Sequence, residues 1–463
     1  FEEARKSRHN PYYNYYHWWP AEKGEPPLRL SYFDEEGNAW MYNKSTDSYY
    51  LHYFSRKQPD LNWENPEVRQ EIFDMMRFWF DKGIDSFRMD SISLIAKDPS
   101  FPLIDSKKYP DIFSFYAKEP RLHLYLHEMN RQVLSKYDCM SVGEGSAVMV
   151  DDVAKFVDPA REELNMLYHF DAARIRNTTL PDNPESGIDY SLIALKKMFT
   201  EWDKAVDKGW PSIYLGNHDQ PRMVSRFGSD KDEFRALSAK MLITFLLTMR
   251  GTPYWFAGDE IGMRNIRFDH IEDYNDIDTI NRYKKAKAEG KDPQAVLDEQ
   301  KETGRDNART PFQWDRSPEA GFTAGTPWLK VNPDYTWINV ADEEKDPTSI
   351  LNYFKKVVSF RKENPSLIYG SYHLLDAENP QSYTFLRKTG ADTYLIMLNF
   401  SPKAAISTPG IDMSNAHVLL DNYGDRSHMA PQKDITLRPF EAIVFQLNHP
   451  VYESFIDSLD LLE

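Results

Sequence analysis

The sequence lacks the features that mark several common classes of protein. It has a single cysteine, Cys139, so it can form no intramolecular disulfide and offers no cysteine-rich metal site. The apolar residues beside Cys139 favour a thiol packed in the core. No run of about 18 apolar residues occurs, so no membrane span is predicted. The first residues have neither an initiating methionine nor the form of a signal peptide.

Net positive charge is also lacking. Lysine and arginine number 56 and aspartate and glutamate number 72, so the formal net charge is −16. That balance argues against nucleic acid or an anionic membrane as a partner. The 463 residues, 41% of them hydrophobic, are enough for a large core and more than one domain. Aromatic residues make up 14%, and although most are expected in the core, rings with polar rims also suit sugars.

Helix and strand patterns alternate through the middle of the chain. Asn65 and Pro66 predict the start of a helix and Gly83 predicts its end, with a strand over 84–90 directly after it. Further helix and strand pairs follow, and the later strands are predicted at 139–144, 164–170, 211–216 and 251–256. This spacing is typical of βα units, which form a parallel sheet with helices packed outside it.

Both ends of the chain differ from this middle region. Residues 1 to about 62 are rich in aromatic side chains and weakly periodic, which predicts irregular, β-rich structure. A charged stretch over about 278–303 predicts a solvated helical face, and a further helix is predicted to begin at Asp346 and Pro347. From about residue 370, short strands separated by turn residues predict a small antiparallel β domain.

Polar side chains follow each predicted strand of the middle region. They are Asp90, Glu144, Asp171, His218 with Asp219, and Asp259 with Glu260. In a (β/α)₈ barrel, the carboxyl ends of the strands form the catalytic face. The predicted fold class is therefore α/β, with a barrel that carries a polar site at this face.

Three of these acids suit the chemistry of glycoside hydrolysis. A retaining mechanism needs one ionised carboxylate as nucleophile and one protonated carboxyl as general acid. Arg88 and Asp90 are alternate residues of a strand and so share a face, where the cation favours the ionised form of Asp90. Glu144 follows an apolar run, which favours a raised pKa and proton donation. Asp219, beside His218, suits the binding of sugar hydroxyls.

Two alternatives compete with this interpretation. Arg88 and Asp90 can form a structural ion pair in an α/β core. His123 and His127 have the i, i+4 spacing of a zinc pair, but no third ligand follows at a typical spacing. The acidic loop at 273–278 lacks the glycine and the final glutamate of a calcium loop. No metal site is therefore predicted.

Four short motifs resemble sequence signatures of the α-amylase family of glycoside hydrolases. They are Gln-Pro-Asp-Leu-Asn at 58–62, Gly-Ile-Asp-Ser-Phe-Arg-Met-Asp at 83–90, Val-Gly-Glu at 142–144 and Gly-Asn-His-Asp-Gln-Pro-Arg at 216–222. The first of them, together with the segment 305–315, resembles most the branch of oligo-1,6-glucosidases, α-glucosidases and sucrose isomerases. The resemblance extends from about residue 1 to residue 445.

The resemblance implies a TIM barrel with an inserted subdomain and a C-terminal antiparallel β-sandwich. The subdomain is expected at 1–62, the barrel at 63–368 with a loop region at 260–345 after its last strand, and the sandwich at 369–463. Members of the family begin with a further segment that carries the first barrel strands, so the expected barrel lacks those strands. A fragment of a longer enzyme is expected rather than a truncated, inactive relative, because the three acids remain.

The resemblance also implies roles for individual residues. Asp90 is the expected nucleophile, Glu144 the general acid and base, and Asp219 the third carboxylate. The residues expected around the bound glucose unit are Arg88, His218, Arg309, Gln58, Phe54 and Phe170. No cofactor and no metal are expected, although the missing first segment leaves open a structural calcium ion.

The expected activity is exo-acting hydrolysis of terminal α-linked glucose from short oligosaccharides. Ser91, directly after the nucleophile, is small and polar as in α-1,4-specific relatives, which favours maltose or sucrose over α-1,6-linked substrates. Sucrose isomerisation stays an alternative. Phe312 resembles the residue at the corresponding position of the sucrose isomerases. The segment 170–177, by contrast, keeps one of the basic positions of those enzymes but loses the acid that follows it.

A non-enzymatic role is the remaining alternative. The heavy chains of amino-acid transporters resemble the same family, but they need a membrane span, which this sequence does not predict. The expected partner is a small oligosaccharide, without nucleic acid or membrane, in a monomer or weak homodimer. A cytoplasmic location is expected, with the periplasm or secretion left open.

Overall fold

A computed structural model describes residues 1–33, 38–105, 107–108, 112–390, 392–426 and 433–447. The chain forms two compact units. The first contains Phe1–Phe170, Ala205–Pro211 and Ile277–Pro293, and the second contains Asp171–Lys204, Ser212–Asp276 and Gln294–Glu463. The predicted domain boundaries near residues 62 and 368 stay a prediction, and residues 448–463 of the predicted sandwich lie outside the described residues.

Helices and strands alternate through the middle of the chain, and strands dominate after residue 370. The strands are β1 (Trp18–Pro20), β2 (Trp40–Asn43), β3 (Ser48–Leu51), β4 (Ser86–Met89), β5 (Met140–Glu144), β6 (Met166–Tyr168), β7 (Ser212–Ile213), β8 (Thr252–Pro253), β9 (Ser371–Leu375), β10 (Ser382–Thr389), β11 (Asp392–Asn399), β12 (Ala405–Ser407), β13 (His417–Asp421), β14 (Ile435–Leu437) and β15 (Ala442–Leu447). The α-helices are α1 (Pro66–Asp81), α2 (Ile112–Tyr116), α3 (Pro120–Gln132), α4 (Val150–Val157), α5 (Asp171–Thr178), α6 (Leu192–Ala205), α7 (Met223–Phe227), α8 (Arg235–Thr248), α9 (Ile277–Ala288), α10 (Pro293–Thr303), α11 (Val340–Glu343), α12 (Ile350–Glu363) and α13 (Ser366–Tyr369).

A three-stranded parallel sheet of order β4-β5-β6 is the centre of the first unit. Helix α1 leads into β4, and it begins as predicted, because the side chain of Asn65 accepts a hydrogen bond from the backbone N–H of Glu67. Gly83 has the positive φ of 92° that the turn after the helix requires. The buried residues of α1 are Val68, Phe73, Met76 and Phe80, whereas Trp79 is 45% exposed.

Residues 1–33 and 38–62 of the first unit form irregular structure around a small antiparallel sheet of order β1-β3-β2. Their aromatic core includes Leu94, which lies in the turn after β4. The buried ammonium group of Lys97 forms an ion pair with Asp60 at 2.9 Å and lies over the rings of Tyr53 and Tyr116. Asp60 therefore gives the motif at 58–62 a packing role, tying it to the chain that follows β4.

The second unit contains a short parallel pair, β7 and β8, joined by the apolar helix α8. Its C-terminal part has a five-stranded antiparallel sheet of order β13-β15-β11-β10-β9 and a two-stranded sheet of β12 and β14. Ile435 and Leu437 of the small sheet share one core with Leu386, Leu395 and Phe445 of the large one. Two sheets that share an apolar core form the antiparallel β domain that the turn pattern predicts.

Two predicted helix boundaries are wrong. The charged stretch over 278–303 is two helices, α9 and α10, because the chain turns at Gly290, where φ is 69°. Helix α12 begins later than Pro347, since Ser349 is the residue whose side chain accepts a hydrogen bond from a first-turn N–H. Asp346 instead accepts one from the N–H of Thr348 in the preceding turn.

The parallel strands β4 to β6 of the first unit and the parallel pair β7 and β8 of the second are those expected of a barrel, and each comes after a helix or turn as predicted. The described residues do not test where any further barrel strands would lie, so that part of the expected fold stays a prediction. Within the same residues, no helix is both long enough and apolar enough to span a membrane.

Candidate active site

Arg88 joins three side chains in the first unit. Its Nη1 atom donates to Asp90, while Nη2 donates to Glu144 Oε2 at 2.8 Å and to the hydroxyl of Tyr168. These residues come from β4, β5 and β6 or directly follow them. Parallel pairing sets Arg88 opposite Val142 and Glu144 opposite Tyr168, so the carboxyl ends of the three strands meet.

The glycines on either side of Glu144 allow its strand to lie close to apolar neighbours. A Cβ atom on Gly143 would lie 2.7 Å from Leu164 Cδ1, and one on Gly145 would overlap the side chain of Leu167. Any larger residue at either position would push the strand away from these leucines. The Gly-Glu-Gly sequence therefore allows the backbone on both sides of Glu144 to pack closely against these leucines.

The two carboxylates that Arg88 bridges differ in their exposure to solvent. Glu144 is 7% exposed, whereas the side chain of Asp90 is 75% exposed. Burial raises the pKa of Glu144, and the nearby carboxylate of Asp90 acts in the same direction. The N–H of Ser91 and the Arg88 cation oppose the rise without cancelling it. One group favours the protonated form and its neighbour is open to solvent, which fits an acid beside a nucleophile.

Ser91 adopts a left-handed backbone conformation, with φ of 44° and ψ of 33°. A non-glycine residue in this region is uncommon and stores strain that the surroundings must hold. The conformation aims the N–H of Ser91 at Glu144 Oε2, 3.0 Å away. The hydroxyl of Ser146 donates to the other oxygen of Glu144 at 3.2 Å. Ser91, predicted only as a specificity residue, thus also contacts the acid through its backbone.

Tyr168 was not among the predicted site residues. Its ring lies 5.5 Å from the Arg88 guanidinium and 5.7 Å from the ring of Phe170. Burial raises the pKa of Tyr168, as does the charge of Glu144, so the phenol stays protonated. Tyr168 lies two residues before Phe170 and is therefore expected on the same face of the strand predicted at 164–170. That pattern could have identified Tyr168 as a site residue.

Phe54 and Gln58 make their contacts elsewhere in the first unit. Phe54 stacks on Phe113 with ring centroids 6.3 Å apart and packs beside Phe33. The side-chain oxygen of Gln58 accepts a hydrogen bond from the N–H of Ser55 at 3.1 Å, which closes a turn. Their predicted place beside the glucose unit stays a prediction.

The second unit carries a separate cluster around Asp219. Asp219 Oδ1 accepts hydrogen bonds from Arg305 at 3.2 Å and from Arg309 at 3.0 Å, and its Oδ2 lies 3.2 Å from His218 Nε2. Arg309 also donates to the backbone oxygen of His218 at 2.8 Å. Asp276 accepts a hydrogen bond from Arg305. The predicted residues His218, Asp219 and Arg309 are therefore in direct contact with one another.

Arg305 and Asp276 of this cluster were missed by the sequence patterns. Asp276 lies in the acidic loop at 273–278, which resembles a calcium loop only superficially, and the pattern there predicts capping and turn chemistry. Arg305 opens a short 3₁₀ turn, Arg305–Ala308, and Arg309 directly follows it. Positions four apart in a 3₁₀ turn do not share a face, so spacing alone does not bring these two arginines together.

The histidines considered for zinc have other partners. His123 Nδ1 lies 2.8 Å from Glu163 Oε2, and His127 Nδ1 lies 3.1 Å from the backbone oxygen of Arg161. Over the residues whose structure is described, no three histidine, cysteine or acidic side chains form a group suited to a metal ion. The helix α3 that carries both histidines thus has structural contacts at these positions.

Comparison with known proteins agrees with the geometry. Residues 1–370 match the model of the α-amylase catalytic domain. The chain is 47% identical over 461 residues to an oligo-1,6-glucosidase of Parageobacillus thermoglucosidasius, covering 97% of this chain and 80% of that enzyme. It is 44% identical over 457 residues to an oligo-1,6-glucosidase of Bacillus cereus, covering 96% and 80%.

Solved structures of a trehalulose synthase and an isomaltulose synthase are also similar. The trehalulose synthase MutB matches with a TM-score of 0.90 and 37% identity, over 96% of this chain and 80% of that one. The isomaltulose synthase SmuA of Protaminobacter rubrum matches with a TM-score of 0.89 and 37% identity, over 97% and 80%. The fold is accordingly a TIM barrel with a C-terminal β-sheet domain. Motifs, geometry and relatives agree that the chain belongs to the α-amylase family of glycoside hydrolases.

Proposed function

We propose that the protein is a retaining, exo-acting α-glucosidase that releases terminal α-linked glucose from short oligosaccharides. The observation that carries the proposal is the bridge from Arg88 to both Asp90 and the buried Glu144. One guanidinium that reaches two carboxylates fits the separation of roughly 5–5.5 Å in retaining glycosidases better than the wider separation in inverting ones.

The first step transfers glucose to Asp90. Glu144, whose raised pKa favours the protonated form, donates its proton to the glycosidic oxygen while a carboxylate oxygen of Asp90 attacks the anomeric carbon. The bond to the leaving sugar breaks with its electron pair on the oxygen that receives the proton. A β-glucosyl ester of Asp90 and a free leaving sugar result.

The second step returns both carboxyl groups to their starting states. Esterified Asp90 no longer carries a charge, so its contribution to the raised pKa of Glu144 disappears. The ionised Glu144 then removes a proton from water, which attacks the anomeric carbon and releases Asp90 as a carboxylate. Two inversions give glucose with the α configuration of the substrate.

The remaining predicted residues are proposed to bind the glucose unit. Asp219, His218 and Arg309 offer a carboxylate, an imidazole and a guanidinium suited to sugar hydroxyls, and their mutual contacts support this role. Phe170, beside Tyr168, offers an aromatic face. Small oligosaccharides are the substrates of enzymes of this kind.

The configuration of the product tests the mechanism. Proton NMR during hydrolysis of an aryl α-glucoside, whose leaving group is not a sugar, should show α-glucose first, with β-glucose appearing only as the anomers equilibrate. Immediate formation of β-glucose would contradict the retaining mechanism, and release of maltose units from longer chains would contradict exo action.

Linkage preference gives a second expected result. The small, polar Ser91 favours α-1,4 substrates, so kcat/KM for maltose should exceed that for isomaltose. Several similar enzymes carry the name oligo-1,6-glucosidase, which makes the comparison decisive for this chain. Parallel assays with equal enzyme on both disaccharides measure it, and a strong preference for isomaltose would show that the α-1,4 assignment is wrong.

The pH profile should follow Glu144. Because its pKa is raised, the protonated acid persists above the ordinary glutamate value of about 4.3, and the alkaline limb of kcat/KM should lie above that value. Glu144→Gln should lose this limb with aryl glucosides, whose leaving groups need no proton. An unchanged limb in Glu144→Gln would assign it to another group.

Sucrose isomerisation is the second candidate, favoured by the similarity to MutB and SmuA. An isomerase would rejoin glucose to fructose before either sugar leaves. Chromatography of the products from sucrose separates the two activities. Free glucose and fructose are expected, whereas isomaltulose or trehalulose as the main product would favour the isomerase.

A further inference from the structure

Asp276 contacts the same two arginines that contact Asp219. Its side chain is 2% exposed, it accepts a hydrogen bond from Arg305 Nη2, and its Oδ1 lies 3.7 Å from Arg309 Nη1. The same arginines donate to Asp219 Oδ1 at 3.2 and 3.0 Å. Two carboxylates and two guanidiniums thus contact one another in one cluster, and Asp276 is the most buried of the four.

The backbone at Asp276 is held independently of its carboxylate. Asp306, which is fully buried, accepts hydrogen bonds from the N–H groups of Asn275 at 2.7 Å and Asp276 at 2.8 Å. Asp306 belongs to the same 3₁₀ turn as Arg305. One turn therefore carries an arginine of the cluster and also anchors the loop that supplies the opposing charge, which fixes their separation.

The balance of charge decides where the guanidiniums rest. With Asp276 ionised, Arg305 and Arg309 are shared between two carboxylates and meet Asp219 at one oxygen, Oδ1. Without that charge, Arg305 and Arg309 would lose one of their carboxylate partners and would move toward Asp219, since a buried charge that loses its partner is costly. They would then compete for Oδ2, which at present faces His218 at 3.2 Å.

We propose that Asp276 is a positioning residue for substrate binding. Its buried charge holds Arg305 and Arg309 at one oxygen of Asp219, which leaves Oδ2 and His218 to bind sugar hydroxyls. The proposal rests on the α-glucosidase function proposed above and adds to it a residue that acts only through other side chains.

The test compares Asp276→Asn with a matched variant, Asp273→Asn. Asp273 lies three residues earlier in the same loop and forms its ion pair with Lys330 at 2.5 Å. For Asp276→Asn, kcat/KM for maltose should fall about 10²-fold, with most of the change in KM, because misplaced binding groups weaken substrate binding. Asp273→Asn should stay within about threefold of the wild type. Thermal unfolding of both variants shows whether either has lost its fold.

A double mutant separates positioning from a general loss of structure. Asp276→Asn combined with Arg305→Gln removes one charge of each sign and restores the balance. Its KM should be no worse than that of Asp276→Asn alone, whereas independent roles would multiply the two losses. Multiplied losses, or equal kinetics in Asp276→Asn and Asp273→Asn, would overturn the proposal.

Two further outcomes are distinguishable. If Asp276→Asn does not fold, Asp276→Glu keeps the charge and should bind maltose within about tenfold of the wild type. Failure of that folded variant to do so would also overturn the positioning role. A wild-type protein that releases no glucose would instead overturn the proposed function, and the positioning role with it.

Discussion

Replacing Asp90 with asparagine should lower kcat for maltose on the order of 10⁴-fold or more. The amide has nearly the shape of the carboxylate but lacks its charge and cannot form the glucosyl ester. The fold should persist, because the Asp90 side chain is 75% exposed and Arg88 keeps its hydrogen bond to Glu144 at 2.8 Å. Loss of activity with unchanged thermal unfolding would assign the effect to chemistry.

Asp85→Asn is the matched control for this change. Asp85 lies in the same motif, is exposed, and its backbone oxygen accepts the N–H of Met140 at the start of β5. An amide at that side chain leaves the backbone contact intact, so activity should stay within about twofold. Equal losses in Asp85→Asn and Asp90→Asn would contradict the role assigned to Asp90.

Azide distinguishes the nucleophile from the acid. In Asp90→Ala the missing side chain leaves space for azide to attack an activated α-glucoside from the opposite face, which gives β-glucosyl azide. In Glu144→Gln azide attacks the β-glucosyl ester of Asp90 and gives α-glucosyl azide. Identification of each anomer by NMR tests both roles, and exchange of the two products would reverse them.

The ends of the strands were predictable from the sequence, because hydrophobic periodicity and the residues that start or end helices and strands are signals within short segments. Asn65 and Gly83 flank α1, Asp90 directly follows β4 and Glu144 is the last residue of β5. Parallel pairing then brings Arg88 and Glu144 together without any further information. This part of the candidate site depends only on patterns within short segments.

Contacts between distant segments were not predictable in the same way. Asp276 contacts Arg305 although two helices, α9 and α10, separate them in the sequence. Lys97 contacts Asp60 beside aromatic rings that come from several segments. Each acid alone resembles a turn or cap residue, which is the commoner role. The early start predicted for α12 failed for a related reason, since Asp346 and Ser349 both have good capping side chains and only one caps the helix.

Two buried arginines close the C-terminal end of α8, and their loss should cause the largest change in stability. Arg361 donates to the backbone oxygens of Leu247, Met249 and Leu367, each at 2.8 Å. Arg387 donates to that of Thr248 and again to that of Leu367. A helix leaves its last carbonyl groups without partners within the helix, and the cations also suit the negative end of its dipole.

Arg361→Met should therefore lower the free energy of unfolding by about 3 kcal/mol or more, because several buried carbonyl groups lose their donor. Burial lowers the pKa of Arg361 to about 10, which means that burying its charge has a free-energy cost, and the substitution removes that cost. This gain in stability is smaller than the loss, because methionine cannot donate to any of the carbonyl groups that stay buried.

Arg316→Met is the control for the loss of an arginine as such. The side chain of Arg316 is 67% exposed and pairs with Asp342 at 2.6 Å, a surface contact that contributes about 1 kcal/mol or less. Urea unfolding measures the difference in the free energy of unfolding between the two variants, provided that this free energy depends on urea concentration with the same slope in both. A loss in Arg361→Met no larger than in Arg316→Met would mean that water or a shifted helix end satisfies the carbonyl groups, and that α8 does not depend on its arginine caps.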